Sequence, residues 1–235
     1  MNVLGVTLAR GGSKGVPNKH VRKLGGKAVL AWTIEAALKS KYLNQYVVSS
    51  DNETILAIAN AFANVRSLRR PDELARDDTP TLPALQHAVK WAEEEFRTIY
   101  DYIIEIRATS PLKTTADIDD IIERLIHSGA DSVIGVTSLE DHHPARAKWL
   151  TGGGYLRDFI PEPRTGRRQD FIRKAFVRNG TVYALKRECV MGKNAKLFGH
   201  ERSIGYIMPP ERSVNIDTEM DWLLCTAILE RRGSE

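Results

Sequence analysis

The chain reads as an α/β protein, a doubly wound and mostly parallel sheet with helices on both faces and a small inserted arm. Three observations predict this. Strand-like and helical segments alternate through residues 1–138. The first apolar run, Val3 to Leu8, ends in a glycine-rich basic loop running from Arg10 to Lys19. Polar segments recur where further strands should end, at Ser49 to Asp51, Arg107 to Lys113 and the approach to Asp217. In an open α/β sheet such ends converge on one crevice, so residues far apart in sequence are expected to meet there.

Each element has its own pattern. Val3 to Leu8 is an apolar run broken only by Thr7, as a buried first strand should be. Ala28 to Leu38 places Leu30, Ile34, Ala37 and Leu38 at helical spacing. Tyr46 to Ser49 is a short strand, and Asn52 to Ala63 a helix with Ser50 or Asp51 as its expected N-cap. Val65 to Leu68 is a third strand. Thr81 to Arg97 is a long helix with Leu85, Ala88, Val89 and Ala92 as its buried stripe. Tyr102 to Ile106 is a strand, Ala116 to His127 a helix and Ser132 to Val136 a strand. The rhythm then breaks, because residues 139–176 are rich in Arg, Pro and Gly and poor in apolar runs. Strands return at Thr181 to Leu185 and Ser203 to Met208, and a last helix spans Thr218 to Arg231. The expected organisation is a nucleotide-binding core at 1–138, an arm at 139–176 and the rest of the core at 177–235.

Composition narrows the function. At 235 residues the chain can bury a substantial core, and its net charge of +4 is modest. Arg and Lys gather in the first loop and at 164–174 rather than along a stripe, which suits a compact anion and argues against a nucleic-acid partner. Cys189 and Cys225 form no CxxC pair and no zinc spacing, so both are expected as apolar fillers in a reducing, cytoplasmic setting. No leader pattern opens the chain and no apolar run is long enough to span a bilayer, so no membrane partner is expected.

The first loop carries the chemistry. Glycines let backbone N–H groups approach an anion, and Arg10, Lys14 and Lys19 supply counter-charge. The loop is neither GxxxxGK[ST] nor GxGxxG. It is expected to cradle a nucleotide triphosphate, against the plainer alternative of a flexible βα turn. Arg70 is expected at a phosphate or sugar, or else in a solvated helix-starting turn. Thr109 and Ser110 offer hydroxyls at a bend that Pro111 makes extended. Asn179 to Tyr183 reads from pattern alone as a turn and edge strand. His142-His143-Pro144 reads as a hydrogen-bonded turn, and the basic run at 164–174 as a solvated arm or a carboxylate binder.

Read in order, these segments resemble the acylneuraminate cytidylyltransferases. The resemblance is carried by Ala9-Arg10-Gly11-Gly12-Ser13-Lys14-Gly15-Val16-Pro17-Asn18-Lys19, by Arg70-Pro71-Asp72-Glu73-Leu74-Ala75, by Thr109-Ser110-Pro111-Leu112-Lys113, by Asn179-Gly180-Thr181-Val182-Tyr183 and by Asn215-Ile216-Asp217-Thr218-Glu219-Met220-Asp221. His142-His143-Pro144-Ala145-Arg146 and Arg168-Gln169-Asp170 are similar to segments of the family's insertion. The resemblance implies a Rossmann-like nucleotidyltransferase that joins CTP to a nonulosonic acid and releases pyrophosphate. It implies catalytic roles for Arg10 and Lys14. It implies nucleotide contacts from Ala9, Gly11, Gly12, Ser13, Lys19, Arg70, Thr81 and Thr109. Sugar contacts are implied for Arg107, Ser110, Arg146, Arg168, Asn179 and Tyr183, and a magnesium ion on Asp217 and Asn215, with Asp221 as a cap. A homodimer joined through the arm is implied as well. Three residues depart from the family: His20 where Asn is common, Arg107 where Gln is frequent, and Asn215 where the family has an acid. They leave open another ulosonic acid (legionaminic, pseudaminic or octulosonic), another nucleotide, or a nucleotide-binding protein without turnover.

Overall fold

The computed structural model describes residues 1–139, 142–163, 167 and 174–233. In chain order the first half comprises β1 (Val3–Leu8), a small antiparallel pair β2 (Lys23–Leu24) and β3 (Lys27–Ala28), α1 (Val29–Leu38), β4 (Gln45–Ser50), α2 (Glu53–Asn60), β5 (Arg66–Arg69), α3 (Thr81–Phe96), β6 (Tyr102–Ile106), α4 (Thr115–Ser128) and β7 (Ser132–Ser138). A hairpin, β8 (Lys148–Leu150) with β9 (Leu156–Asp158), then precedes β10 (Phe176–Lys186), α5 (Arg187–Met191), β11 (Ser203–Ile207) and α6 (Glu219–Gly233).

Seven strands form one sheet in the order β11-β7-β10-β6-β1-β4-β5. β1 pairs in parallel with β4 and β6, β4 with β5, and β7 with β11. β10 alone runs antiparallel, to both β6 and β7, so the sheet is mostly parallel. Its register to β7 shifts between Arg178 and Tyr183, where Gly180 takes φ +65°, a left-handed backbone that glycine adopts without strain. The shift lets a strand of 11 residues bend over the sheet, one end meeting the arm and the other β6.

Helices α1, α2 and α4 cover one face and α3 and α5 the other. Ile118, Ile121, Ile122 and Leu125 of α4 are fully buried, and each such side chain contributes roughly 1.5–3 kcal/mol relative to exposure. α4 opens on a reciprocal capping box between Thr114 and Asp117 and ends at Gly129 in the left-handed region. A third apolar cluster holds the cleft together. Val16 of the first loop packs with Ile216 and with Trp222 and Cys225 of α6.

Strand and helix positions agree with the sequence reading to within a few residues. The helix expected to reach Ala63 ends at Asn60, and its N-cap is Asn52, not Ser50 or Asp51. The Asn52 side chain accepts from the N–H groups of Thr54 and Ile55, while Ser50 ends β4 and Asp51 lies between the two elements. The β2–β3 pair and α5 are too short to leave a periodic signal. Both cysteines are buried and unpaired, and Asp221 accepts from the N–H groups of Asp217 and Thr218 ahead of α6. His143 caps a short 3-10 turn at Pro144–Arg146.

Candidate active site

Beyond the carboxyl ends of β1, β4 and β6 lies a cleft of about 390 Å³. Six Lys or Arg side chains line it (Arg10, Lys14, Lys19, Arg70, Arg76 and Arg107) against three acids, Asp77, Glu105 and Asp217, an excess of three positive charges. Such an excess inside low-dielectric walls concentrates anions.

The first loop forms one wall. It is pinned at both ends and in the middle. The Gly11 N–H donates to Asp51, 3.1 Å away, His20 Nδ1 lies 3.0 Å from the Arg10 carbonyl, and Val16 is buried. Lys19 Nζ donates to the Ile216 carbonyl at 2.6 Å and to Asp217 at 2.9 Å, which joins the loop to a segment about 200 residues later. Gly15 shows how close that approach is, since a Cβ there would stand 2.1 Å from the carbonyl oxygen of Asp217. Only glycine fits.

A carbonyl oxygen only accepts, so His20 Nδ1 carries the proton and donates to Arg10. Burial, reinforced by Lys19, Arg70 and Arg10, pushes the His20 imidazole down to about 4. It is therefore neutral near pH 7, with Nε2 bearing a lone pair. Asp77 reaches across to Lys14 at 2.6 Å and pairs with Arg10, and these two bonds hold its carboxyl below the usual range. An internal carboxylate thus sits on the two cations expected to meet phosphate. Arg70 is buried and pairs with Asp51 at 3.4 Å.

The other wall comes from β6 and its following turn. Lys113 is buried, and its Nζ donates to Thr33 Oγ1 at 2.8 Å and to the carbonyls of Arg107 at 2.7 Å and Ser110 at 2.8 Å. It fixes the turn that presents Arg107 and Thr109. Burial pushes the Lys113 ammonium down to about 7.

A divalent cation finds one carboxylate here. Asp217 accepts from Lys19 and from the Asn215 amide, while the Asn215 carbonyl accepts from the hydroxyls of Thr109 and Ser110. Those hydroxyl donors and that carboxylate acceptor fix which way the amide points. Among the described residues no three His, Cys, Asp or Glu side chains group as a metal site. Magnesium is commonly held by one or two carboxylates together with substrate phosphates, so Asp217 fits as a single protein anchor and Asn215 as its orienting neighbour.

Of the residues expected from sequence, Arg10, Ser13, Lys14, Lys19, Arg70, Thr81, Arg107, Thr109, Asn215 and Asp217 line this cleft. Gly11 lines a smaller cavity beside it, Ala9 is buried in the core, and Gly12 belongs to the loop without lining either. Three expected sugar contacts are turned inward. Ser110 is buried and donates to the Gly180 carbonyl at 2.9 Å. Asn179 is buried and bonded to Ser213 and Thr181, and Tyr183 packs on Phe198. The polar groups of Ser110 and Asn179 serve the β10 bend, while the Tyr183 hydroxyl engages Arg107. Arg146 lies in the arm near Glu162, at 3.9 Å, and Arg168 lies outside the described residues. Sequence reasoning missed Glu105, Asp77 and the placement of His20. Glu105 did leave a signal, an acid inside the apolar run Tyr102 to Ile106.

A nucleotide-sized cationic cleft at the switch of a mostly parallel sheet marks an α/β nucleotidyltransferase. Residues 4–148 match the family profile described as cytidylyltransferase, which is more than half of the chain. N-acylneuraminate cytidylyltransferase A of Danio rerio is 32% identical over 94% of this chain, which spans 49% of that relative. The CMP-N,N'-diacetyllegionaminic acid synthase of Campylobacter jejuni is 26% identical, covering 98% of this chain and 96% of its own. Among solved structures, CMP:2-keto-3-deoxy-manno-octonic acid synthetase complexed with CTP superposes with a TM-score of 0.72 at 15% identity, over 99% of this chain and all of that one. The chain belongs to the cytidylyltransferase family.

Proposed function

We propose that this chain transfers the cytidylyl group of CTP to the anomeric hydroxyl of a nonulosonic, sialic-type acid, releasing pyrophosphate. The observation that carries it is the junction of the first loop with Asp217, which puts Arg10, Lys14 and Lys19 around one anion-sized space beside a carboxylate. Arg10 and Lys14 neutralise charge that grows on the leaving phosphates, Lys19 orients the α-phosphate, and Thr81 and Thr109 offer hydroxyls to the nucleotide. Arg70 backs the phosphates from beneath. Arg107 meets the sugar acid. A magnesium ion on Asp217, when bound, supplies further charge neutralisation of the triphosphate. Asp77 has to release Arg10 and Lys14 as the phosphates arrive.

The exposed apolar side chains of the arm (Trp149, Leu150, Tyr155, Leu156, Phe159 and Ile160) support a homodimer formed through residues 139–176, with 1–138 and 177–235 as the core. Among the described residues no helix is long and apolar enough to cross a membrane, and a cytoplasmic site is proposed from the unpaired cysteines.

A legionaminic-type acceptor is the second reading. The legionaminic acid synthase of Campylobacter jejuni matches over 96% of its length, and Arg107 departs from the sialic pattern. The test is pyrophosphate release with magnesium, scanning CTP, UTP, ATP and GTP against N-acetylneuraminic acid, N,N'-diacetyllegionaminic acid and 2-keto-3-deoxy-manno-octonic acid. Turnover confined to CTP and a nine-carbon acid is expected. Lys14→Ala should abolish it with an unchanged melting temperature. Silence across the panel, with CTP still bound, would favour a binding protein without turnover.

A further inference from the structure

Strand β6 is apolar at Ile103, Ile104 and Ile106, yet carries Glu105 between them. Glu105 is 2% exposed and stands in register with Val6 of β1 and Tyr183 of β10. Burial pushes its carboxyl up, and Arg107 opposes that push. Only Oε1 has a partner, the Nε of Arg107 at 3.3 Å, while Oε2 is buried without a hydrogen bond. A buried acid that is half satisfied destabilises a strand, and an apolar residue would serve this one better. Its compensation lies one step along the chain. Arg107 is about one-third exposed, lines the cleft, and sits over the Tyr183 ring with 5.6 Å between guanidinium and ring centroid. Held by Nε on one edge and by the ring below, its guanidinium has lost most of its freedom. The terminal nitrogens remain as the edge that an anion can take.

We propose that Glu105 is a positioning residue for the acceptor, which holds Arg107 through Nε so that the terminal nitrogens donate two parallel hydrogen bonds to a sugar carboxylate. This rests on the reading of Arg107 as the partner of the sugar acid. A planar fork locked in place loses less freedom on binding than one that must be ordered first, so the tether acts on acceptor affinity. The CTP triphosphate, which meets the first loop on the opposite wall, is indifferent to it.

Three variants test this: Glu105→Leu, Glu105→Gln and Arg107→Ala. Steady-state pyrophosphate release with N-acetylneuraminic acid and with N,N'-diacetyllegionaminic acid separates KM for the acceptor from KM for CTP. Exchange of the Arg107 Nε–H, followed by NMR on 15N-arginine protein without ligands, reads the tether independently of any sugar. Glu105→Leu should raise the acceptor KM about tenfold or more and leave that for CTP within about twofold, the scale expected of a charge-assisted contact. Its Nε–H should exchange faster, and its melting temperature should hold or rise. Glu105→Gln, which still accepts from Nε, should restore most of the acceptor KM. Unchanged Nε–H exchange in Glu105→Leu would overturn the proposal, and so would equal rises in both KM values or a fall in melting temperature. If neither sugar turns over, the exchange measurement decides. The underlying reading fails separately, if Arg107→Ala leaves the acceptor KM untouched.

Discussion

Protonating His20 should weaken the fold, and the size of the effect follows from its surroundings. In the unfolded chain the imidazole titrates near 6.5, and in the folded chain near 4. Between these values the unfolded state binds a proton that the native state refuses, so stability falls as the pH falls through that window and is flat below it. A gap of about 2.5 units at about 1.4 kcal/mol each gives roughly 3 kcal/mol lost between pH 6.5 and pH 4. His20→Asn removes the titration and keeps a donor for the Arg10 carbonyl. Urea denaturation of both proteins at pH 7, 5.5 and 4.5 isolates the contribution, because every other titrating group is common to the pair. The wild-type chain should lose ground to the variant steadily across this range, by about 2 kcal/mol or more at pH 4.5. A difference independent of pH would refute the reasoning, since His20 would then be neither buried nor neutral as its cation-rich surroundings require.

Other perturbations have equally definite outcomes. Gly15→Ala drives a Cβ into the Asp217 carbonyl and should part the loop from the Asp217 segment, with a loss of about 1–3 kcal/mol in denaturant unfolding and a deep fall in turnover. Asp77→Asn frees Lys14 and Arg10, so calorimetry should show CTP binding severalfold tighter at low ionic strength, with the gain fading in high salt. Asp117 is buried and accepts a bidentate Arg212 pair besides capping α4, so Asp117→Ala should cost about 3–5 kcal/mol in urea unfolding by stranding Arg212.

Much of this molecule was legible in the chain because local pattern reports burial well. Predominantly apolar runs at Val3 to Leu8 and Tyr102 to Ile106 marked central strands, and the spacing of Leu85, Ala88, Val89 and Ala92 marked the inward face of α3. The direction of β10 was not legible. A strand carries no local record of which way its neighbours run, and that depends on the long path through residues 139–176. The cleft was read through its cations, which stand out in a glycine-rich loop. Ser110 and Asn179 show the opposite case. Their polar groups promise ligand contacts in one dimension and are consumed by Gly180, Thr181 and Ser213 in three. Asp77 gave no local cue, because its meaning lies in two side chains more than 60 residues away.

The contact between Gly15 and Asp217 also sets an order in time. A ribosome adding about 5–20 residues per second exposes the first loop roughly 10–40 seconds before its partner segment leaves the tunnel. During that interval Lys19 lacks the Asp217 carboxylate and the Ile216 carbonyl, and Val16 lacks Ile216, Trp222 and Cys225. A nascent chain therefore carries all six cations of the cleft before the Asp217 carboxylate that Lys19 will meet. Nucleotide can be gripped in earnest only once α6 has docked, and the last helix acts as the latch on the first loop.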